Sequence, residues 1–261
     1  MTAPIPRDIP DLPAIPRTHA LLLSSVPAAA VVAPVRRPLT AALRLLPAGT
    51  ATAGVTLALL LGSPLRVLSH FAIQSSILLA LVTLLSARRA WTARRPLPAA
   101  LTGAALLYVT ITGLVYHLLL ADAAVPFSLT GTTTAPTGWH LLAGHLLHTV
   151  TPVAAVLDWL LLTAPGQLRL RRAATWMLYP VAYLAFSLTR AQLIHPGTPG
   201  RYLYPFFDIE AHGYKHALAN ALLLGLAFYA LAVLLVALDH ARPNPLRHRA
   251  KTGFRLQPPV G

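Results

Sequence analysis

Six long apolar segments recur along the chain, and short stretches rich in Pro, Gly or Arg separate them. A helix needs about 20 residues to cross a hydrocarbon core of about 30 Å. The segments cover residues 39–61, 69–86, 98–120, 138–163, 173–190 and 213–238. Their lengths predict an all-α integral membrane bundle of about six transmembrane helices, which forms one domain over residues 39–240.

Two of these segments, 69–86 and 173–190, are short for a membrane crossing. Thinning of the bilayer or snorkelling of flanking side chains can accommodate a short helix. The segment 39–61 carries Arg44 and Pro47 near one end, so we expect its helix to start about one turn later.

The chain before the first segment has a different character. Residues 1–38 contain eight prolines, which forbids a regular helix and predicts a disordered or interfacial segment. Its apolar stretch Ala20–Val35 is interrupted by Pro27 and Pro34, and we expect it to lie on the membrane surface. A signal peptide that is cleaved near Ala28–Ala30 is the alternative.

Composition agrees with the pattern of apolar segments. The mean hydropathy is +0.62 and only 11% of the residues are charged, whereas about 25% are charged in a soluble domain. A net charge of +14 in a soluble protein would suggest nucleic acid binding. Here the basic residues stand mostly between the apolar segments, which predicts contact with anionic lipid and excludes nucleic acid as a partner.

Basic residues concentrate in alternate loops. Loop 87–97 contains four arginines and loop 164–172 contains three, and the N-terminal region and the tail 241–261 are also basic, whereas loop 121–137 contains no basic residue. Six spans with both termini in the cytoplasm place every basic cluster inside. The strong preference for Arg over Lys resembles the coding bias of a GC-rich bacterium, so we expect a bacterial plasma membrane.

Several kinds of chemistry are excluded by the sequence. The chain contains no Cys, which rules out disulfides, thiolate catalysis, iron–sulfur clusters and Cys-based zinc sites. It shows no internal repeat of the kind found in inverted-repeat transporters, and no nucleotide-binding motif. We predict no metal and no cofactor. We expect membrane lipids and a lipid-like substrate as partners, and the oligomeric state stays open.

The fourth segment carries the most unusual set of polar residues. At about 100° per residue, His145, His148, Thr151 and Asp158 occupy one stripe about 140° wide. His148 lies roughly 15 Å along the helix axis from the start of the segment, close to the bilayer centre. Pro152 is expected to kink the helix and to free the carbonyl of His148.

Two interpretations of this stripe are open. Ionisable groups in hydrocarbon cost at least a few kcal/mol, which indicates a functional site that faces the bundle interior or a water-filled cavity. The alternative is a structural one, in which His and Thr side chains hydrogen-bond between helices.

Other polar residues in or beside the segments have the same two interpretations. Arg190 is a candidate clamp for a carboxylate or phosphate group, or an anchor at the interface. Ser75 and Ser76 are candidate nucleophiles for acyl transfer, or bond a backbone carbonyl one turn back. Further candidates for substrate binding are His117, Tyr204 and Asn220.

Short motifs occur in a recognisable order along the chain. They are Gly144-His145-Leu146-Leu147-His148-Thr149 followed by Pro152, Asp158-Trp159, Tyr179-Pro180 with the Arg190 region, and Tyr204-Pro205-Phe206. On these motifs the chain resembles the bacterial branch of the androgen-induced-gene-one-like integral membrane proteins, over residues 40–240. Mammalian members of that family are threonine–histidine hydrolases of fatty acid esters of hydroxy fatty acids. The resemblance implies that His148 is the catalytic histidine.

The chain departs from the family at the nucleophile. The family's threonine follows a bulky apolar residue early in a transmembrane span, and the matching segment here is His70–Ser76. Ala72 stands in the threonine's place and offers no nucleophile. Either Ser75 or Ser76, about one turn further along, replaces it, or the protein does not use this mechanism.

Three functions follow from these observations. The first is an intramembrane lipid-ester hydrolase with His148 as general base and Ser75 or Ser76 as nucleophile. The second is a non-enzymatic lipid-binding protein, as expected if Ala72 ends catalysis. The third is a haem or quinone protein, whose axial ligands would come from His70, His117, His145, His148, His212 or His216. Zinc binding is disfavoured because Asp158 lies about 15 Å along the axis from His148.

Overall fold

The computed structural model describes residues 35–121, 127–130, 138–198 and 200–243. Over these ranges the chain is helical and contains no strand. The Pro-rich region and the basic tail lie outside these ranges, except for residues 35–38 and 241–243. The predictions made for those two regions therefore stay predictions.

Nine α-helices follow one another in the described part of the chain. They are α1 (Pro38–Leu61), α2 (Pro64–Leu68), α3 (Phe71–Trp91), α4 (Ala99–Val115), α5 (Gly138–His145), α6 (Thr151–Leu162), α7 (Leu170–Trp176), α8 (Leu178–Leu193) and α9 (Ile209–Ala241). A π-helical segment, Tyr116–Leu120, extends α4, and a second one, Leu146–Val150, joins α5 to α6. A short 3₁₀ turn, Pro205–Phe207, precedes α9.

Five helical stretches in the described ranges are long and apolar enough to cross a membrane: Pro38–Leu61, Phe71–Trp91, Ala99–Leu120, Gly138–Leu162 and Ile209–Ala241. The prediction of an all-α, multi-pass membrane protein is confirmed at this level. The expected delay at the start of the first helix is wrong, because α1 begins at Pro38 and continues through Pro47. Transmembrane helices tolerate proline where neighbouring groups satisfy the freed backbone.

The predicted fifth segment, 173–190, is divided into α7 and α8 at Met177. Pro180 cannot donate a backbone hydrogen bond to the carbonyl of Trp176. That carbonyl accepts a hydrogen bond from the Tyr108 hydroxyl instead, at 2.9 Å. The 16 residues of α8 span about 24 Å, less than the thickness of a typical hydrocarbon core.

Small residues bring α1 against the helices that surround it. Ala48, Ala51 and Ala58 are buried on α1, and α1 packs mainly on α3. Small side chains allow two helix backbones to approach closely, which is how helices associate where lipid weakens the hydrophobic effect. By contrast, α9 exposes a row of leucines that includes Leu218, Leu222 and Leu226, as expected for a face in contact with lipid.

The bundle has two ends with different contents. The upper end comprises α2, residues 127–130, and the chain from residue 194 to the start of α9, where Gly213 leaves the helical conformation at φ 77°. The lower end comprises the connections around residues 91–98 and 163–169, together with the end of α9.

Candidate functional site around His148

His148 is placed by an irregular turn of helix. It lies in the π-helical segment Leu146–Val150, immediately before α6. Its carbonyl cannot accept a hydrogen bond from Pro152, which has no backbone N–H. The carbonyl oxygen lies against Gly113 of α4, where an added Cβ would be 3.2 Å from it. Gly113 thus permits the close approach of the two helices at this point. π-helical turns often occur at functional sites.

Two π-helical segments meet at the imidazole of His148. The Tyr116 ring stacks on it with centroids 4.3 Å apart and an angle of 11° between the planes. His117 and Thr149, which follow Tyr116 and His148 in the chain, approach to 3.0 Å between Nε2 and Oγ1. The Phe127 ring meets the same imidazole edge-on at 5.9 Å. His148 is therefore enclosed by aromatic rings.

The His148 side chain is buried without hydrogen bonds. It is 3% exposed, and neither ring nitrogen finds a hydrogen-bond partner among the described residues. An unsatisfied buried polar group costs about 1–3 kcal/mol, and most such groups in folded proteins are paired. The fold tolerates this cost at the position where the family resemblance expects a catalytic histidine.

A cavity of about 60 Å³ opens beside His148. Ala72 at the start of α3 lines it together with His148, and Thr112 of α4 contributes a hydroxyl-bearing side chain. The remaining wall is apolar or aromatic and includes Phe71, Ile111, Val115, Tyr183, Tyr204, Phe206 and Phe228. The cavity therefore brings together the two positions that the resemblance pairs, Ala72 and His148.

The two serines proposed as nucleophiles do not line this cavity. Ser75 is fully buried, donates to the carbonyl of Ala72 at 3.1 Å, and lies 3.0 Å from the Thr112 hydroxyl. Ser76 is fully buried as well, and its hydroxyl has no partner in the described ranges. Neither serine is positioned to attack a substrate that occupies the cavity.

The predicted polar stripe is divided between different surfaces. His145 is exposed, whereas His148 faces the cavity. Thr151 donates to Thr50 of α1 at 3.2 Å, and Asp158 forms an ion pair with Arg44 at 3.6 Å. The prediction of one common face is wrong because it assumed a regular helix, and the π-helical segment changes the angle between successive residues.

The other predicted binding residues lie around the upper end. Arg190 donates to the carbonyls of Gly200 and Arg201 at 3.3 and 3.1 Å. Asn220 donates to the carbonyl of Phe206 at 2.9 Å, which ties α9 to the 3₁₀ turn. His117 is exposed and lines, together with His148, a second cavity of about 310 Å³ rather than the cavity that Ala72 lines. Only Tyr204 among these four lines that cavity.

Tyr204 stays neutral at its place in the cavity wall. Burial raises the pKa of its phenol to about 12, although the hydroxyl of Tyr183 and the backbone amide of Ala72 lower it. Its ring stacks on Phe127, with centroids 5.7 Å apart. A neutral phenol retains its proton and can donate a hydrogen bond.

A second buried histidine was not assigned to this site from the sequence. His70 is fully buried, and its Nδ1 lies 2.9 Å from the carbonyl of Arg66. Its Nε2 has no partner among the residues described. The Phe127 ring contacts both His70 and His148, each at 5.9 Å. His70 directly precedes α3, and only the folded chain shows that this position lies near His148.

Most of the histidines considered as haem ligands lie at the surface of the bundle. His117, His145, His212 and His216 are exposed. Within the described part of the chain, no group of three or more His, Cys, Asp or Glu side chains could hold a metal ion. The other two, His70 and His148, are buried, and the Phe127 ring contacts both imidazoles.

The chain matches no protein-family model, no curated protein and no solved structure. The function is therefore inferred from the geometry of the cavity and from the motifs in the sequence.

Proposed function

We propose that this multi-pass membrane protein binds the acyl chain of a lipid in the cavity beside His148 and does not hydrolyse it. The observation that carries this proposal is the pairing of His148 with Ala72 in one apolar cavity whose lining contains no serine among the described residues. His148 is the catalytic histidine that the resemblance implies, and Ala72 stands where the resemblance expects the nucleophile.

The lining of the cavity supports an apolar ligand. Ligand sites are concave, mostly apolar, and carry a small number of polar groups that fix the orientation of the ligand. Here the polar groups are His148, Thr112, Tyr183 and Tyr204, set among aliphatic and aromatic side chains. The cavity of about 60 Å³ is small, so we expect it to hold only one end of a chain.

Ester hydrolysis is the second candidate, and one observation favours it. Thr112 lines the same cavity as His148. Its hydroxyl donates to the carbonyl of Tyr108 at 3.1 Å and lies 3.0 Å from that of Ser75. In this mechanism His148 would accept the proton of the Thr112 hydroxyl as its oxygen attacks the ester carbonyl, and would pass that proton to the alcohol that leaves when the ester C–O bond breaks. A water molecule, deprotonated by His148, would then attack the acyl-Thr112 ester, and the fatty acid would leave as Thr112 recovers its proton.

One experiment distinguishes binding from hydrolysis. The purified protein in neutral detergent is tested for displacement of a fluorescent fatty acid, for labelling by a fluorophosphonate, and for hydrolysis of a long-chain ester. Binding without labelling or turnover is the expected result. Ala72→Leu should weaken binding because its side chain fills the cavity, whereas Ala185→Leu, at an exposed position of α8, should not. Labelling that is lost in Thr112→Val or in Ser75→Ala/Ser76→Ala would establish the hydrolase instead.

Restoring the missing nucleophile sharpens this test. Ala72→Thr places a hydroxyl on the wall of the cavity that holds His148. We expect this variant to gain slow ester hydrolysis, and the double variant Ala72→Thr/His148→Ala to lose it again. A wild-type protein that already hydrolyses esters as fast as Ala72→Thr would show that Ala72 does not prevent catalysis, and would overturn the proposal of binding without hydrolysis.

We also propose a topology of six spans with both termini in the cytoplasm of a bacterium, in which α7 and α8 together make the fifth crossing. Arginines concentrate at the lower end, in loops 87–97 and 164–172, and cytoplasmic loops carry such an excess. The chain contains no Cys, so single cysteines introduced at Ser63 and Thr92 can be labelled without background. A membrane-impermeant maleimide should label intact cells at residue 63 and not at residue 92, and the reverse result would invert the topology.

A further inference from the structure

Two arginines converge on one point of the backbone at the upper end. The guanidinium of Arg66, from α2, packs directly on Gly200, where any added Cβ would overlap it. Arg190, at the end of α8, donates to the carbonyl of the same Gly200 at 3.3 Å. Burial lowers the pKa of Arg66, and the charge of Arg190 lowers it further, as expected of two cations held close together.

Neither of these arginines has a carboxylate partner within the described residues. Arg66 makes no side-chain hydrogen bond there, and its Nε is buried without a partner. The acidic residues that the structure describes at the upper end are already engaged, because Asp208 caps α9 and Glu210 pairs with Arg201. The two guanidinium groups are half-buried, and their positive charges have no counter-ion among the described residues. Most of their N–H donors are free to bind a ligand.

The arginine pair lies close to the cavity beside His148. Tyr183 lines the cavity, and Arg190 follows it by seven residues on α8. Seven residues correspond to two turns, so both side chains share one face and lie about 10 Å apart along the axis. On the other side, the carbonyl of Arg66 lies 2.9 Å from Nδ1 of His70, which directly precedes the first turn of α3 in the cavity wall.

We propose that Arg66 and Arg190 bind the anionic head group of an amphiphile, a carboxylate or a phosphate, whose apolar chain enters the cavity beside His148. This inference rests on the proposed binding function and names the class of its ligand. Guanidinium groups suit this role because their planar donors match the paired oxygens of carboxylates and phosphates. A separation of about 10 Å fits an amphiphile that lies along α8 with its head at the upper end.

The test compares a charged ligand with its neutral form. A fluorescent C18 fatty acid and its methyl ester are titrated into wild type, Arg66→Gln, Arg190→Gln and the double variant in neutral detergent. We expect wild type to bind the acid about tenfold more tightly than the ester. This difference in affinity is the size expected when a charge-assisted hydrogen bond is gained. Each single variant should reduce this preference and the double variant should abolish it, with the affinity for the ester unchanged.

Matched variants separate charge from structure. Arg171→Gln removes an exposed arginine at the lower end and should keep the preference for the acid. Arg190→Lys should retain part of it, since the charge remains while the paired geometry is lost. Because Arg190 also holds the 200–201 backbone, the unfolding temperature is measured for each variant, and Arg66→Gln, which loses no hydrogen bond to the described residues, is the decisive substitution.

Each remaining outcome has a distinct meaning. Equal binding of acid and ester by wild type, or a preference that persists in the double variant, overturns this inference and leaves acyl binding intact. Failure of both probes to bind overturns the proposed function as well. If inorganic phosphate binds wild type but not the double variant, while wild type binds the acid no more tightly than the ester, the amphiphile proposal is replaced by a site for a free anion. If Asp122→Asn, outside the described residues, lowers the unfolding temperature as Arg66→Gln does, Asp122 is the counter-ion and the site is structural.

Discussion

The two ends of the bundle treat their charged groups differently. At the lower end each membrane-embedded charge meets a partner in the chain: Asp158 pairs with Arg44, and Asp239 pairs with Arg242. At the upper end His148 and His70 retain ring nitrogens without a described partner, and Arg66 has no described carboxylate. Buried atoms without a described hydrogen-bond partner occur at the lower end as well, Asp158 Oδ1 and Asp239 Oδ1 among them, so the two ends differ in their ion pairs. Opposite charges lie 3.6 and 3.9 Å apart at the lower end, which indicates a role in stability, whereas an arginine without a described carboxylate at the upper end indicates a site for a ligand.

The largest loss of stability is expected at Asp239. This side chain is fully buried and accepts a hydrogen bond from the backbone amide of Leu168 at 2.8 Å. Asp239→Ala leaves the Leu168 amide without its acceptor and Arg242 without its counter-ion, which should cost about 3 kcal/mol. Thermal unfolding in detergent measures the effect, and Asp239→Asn, which keeps an acceptor oxygen, should lose less. An unfolding temperature unchanged from wild type would contradict the claim that the lower end serves stability.

A smaller loss is expected at the ion pair of Asp158 with Arg44. Its members are 12–15% exposed and 3.6 Å apart. Asp158→Leu leaves Arg44 without its carboxylate and should cost about 2 kcal/mol. The double variant Asp158→Leu/Arg44→Met should recover most of that loss, because it removes both charges. A double variant that is less stable than either single one would mean that the residues act independently of each other.

Ser75 is buried beside the cavity, but we expect it to contribute to stability and not to ligand binding. Its hydroxyl joins α3 to Thr112 of α4 inside the bundle. Ser75→Ala should cost about 1 kcal/mol, the net value of one buried hydrogen bond, and should leave acyl binding unchanged. If the variant lost all ligand binding and kept its full stability, Ser75 would belong to the ligand site, although it does not line the cavity.

The smallest change of stability is expected at His148, a buried residue of the cavity wall. Because neither ring nitrogen has a described partner, His148→Leu removes an unsatisfied group and should leave the unfolding temperature unchanged or raise it. Acyl binding should nevertheless fall, as one of the four polar groups that line the cavity is gone. A strong destabilisation would show that His148 makes a structural contact and would reverse the contrast between the two ends.

The helices could be predicted from sequence far better than the site. Apolar length alone places the first four predicted spans within a few residues of their observed bounds, because burial in lipid demands it. The division of the fifth segment depends on Tyr108 replacing the hydrogen bond that Pro180 removes, and no local pattern indicates a partner so distant in the chain. His148 was identified from its motif, yet its neighbours His70, Phe127 and Thr112 come from three other parts of the chain.

The error at His145 has a specific physical origin. A spacing of three residues predicts one face only while the helix stays regular. The sequence Leu146–Val150 contains no Gly and no Pro, and its π conformation depends on Pro152 beyond it and on the packing of Gly113 against it. Residue spacing could therefore identify the polar residues of this helix without showing which of them share a face.

The π turn at His148 also has consequences for insertions and deletions. A π turn holds one residue more than the α-helical turn it replaces, so deleting a single residue within Leu146–Val150 should restore a continuous α-helix. Everything on the upper side of the deletion would then rotate by about 100° relative to α6. Such a chain would keep its hydrophobicity and its ability to insert, but the imidazole would leave the cavity. In this helix, a change of length by one residue should matter more than most substitutions.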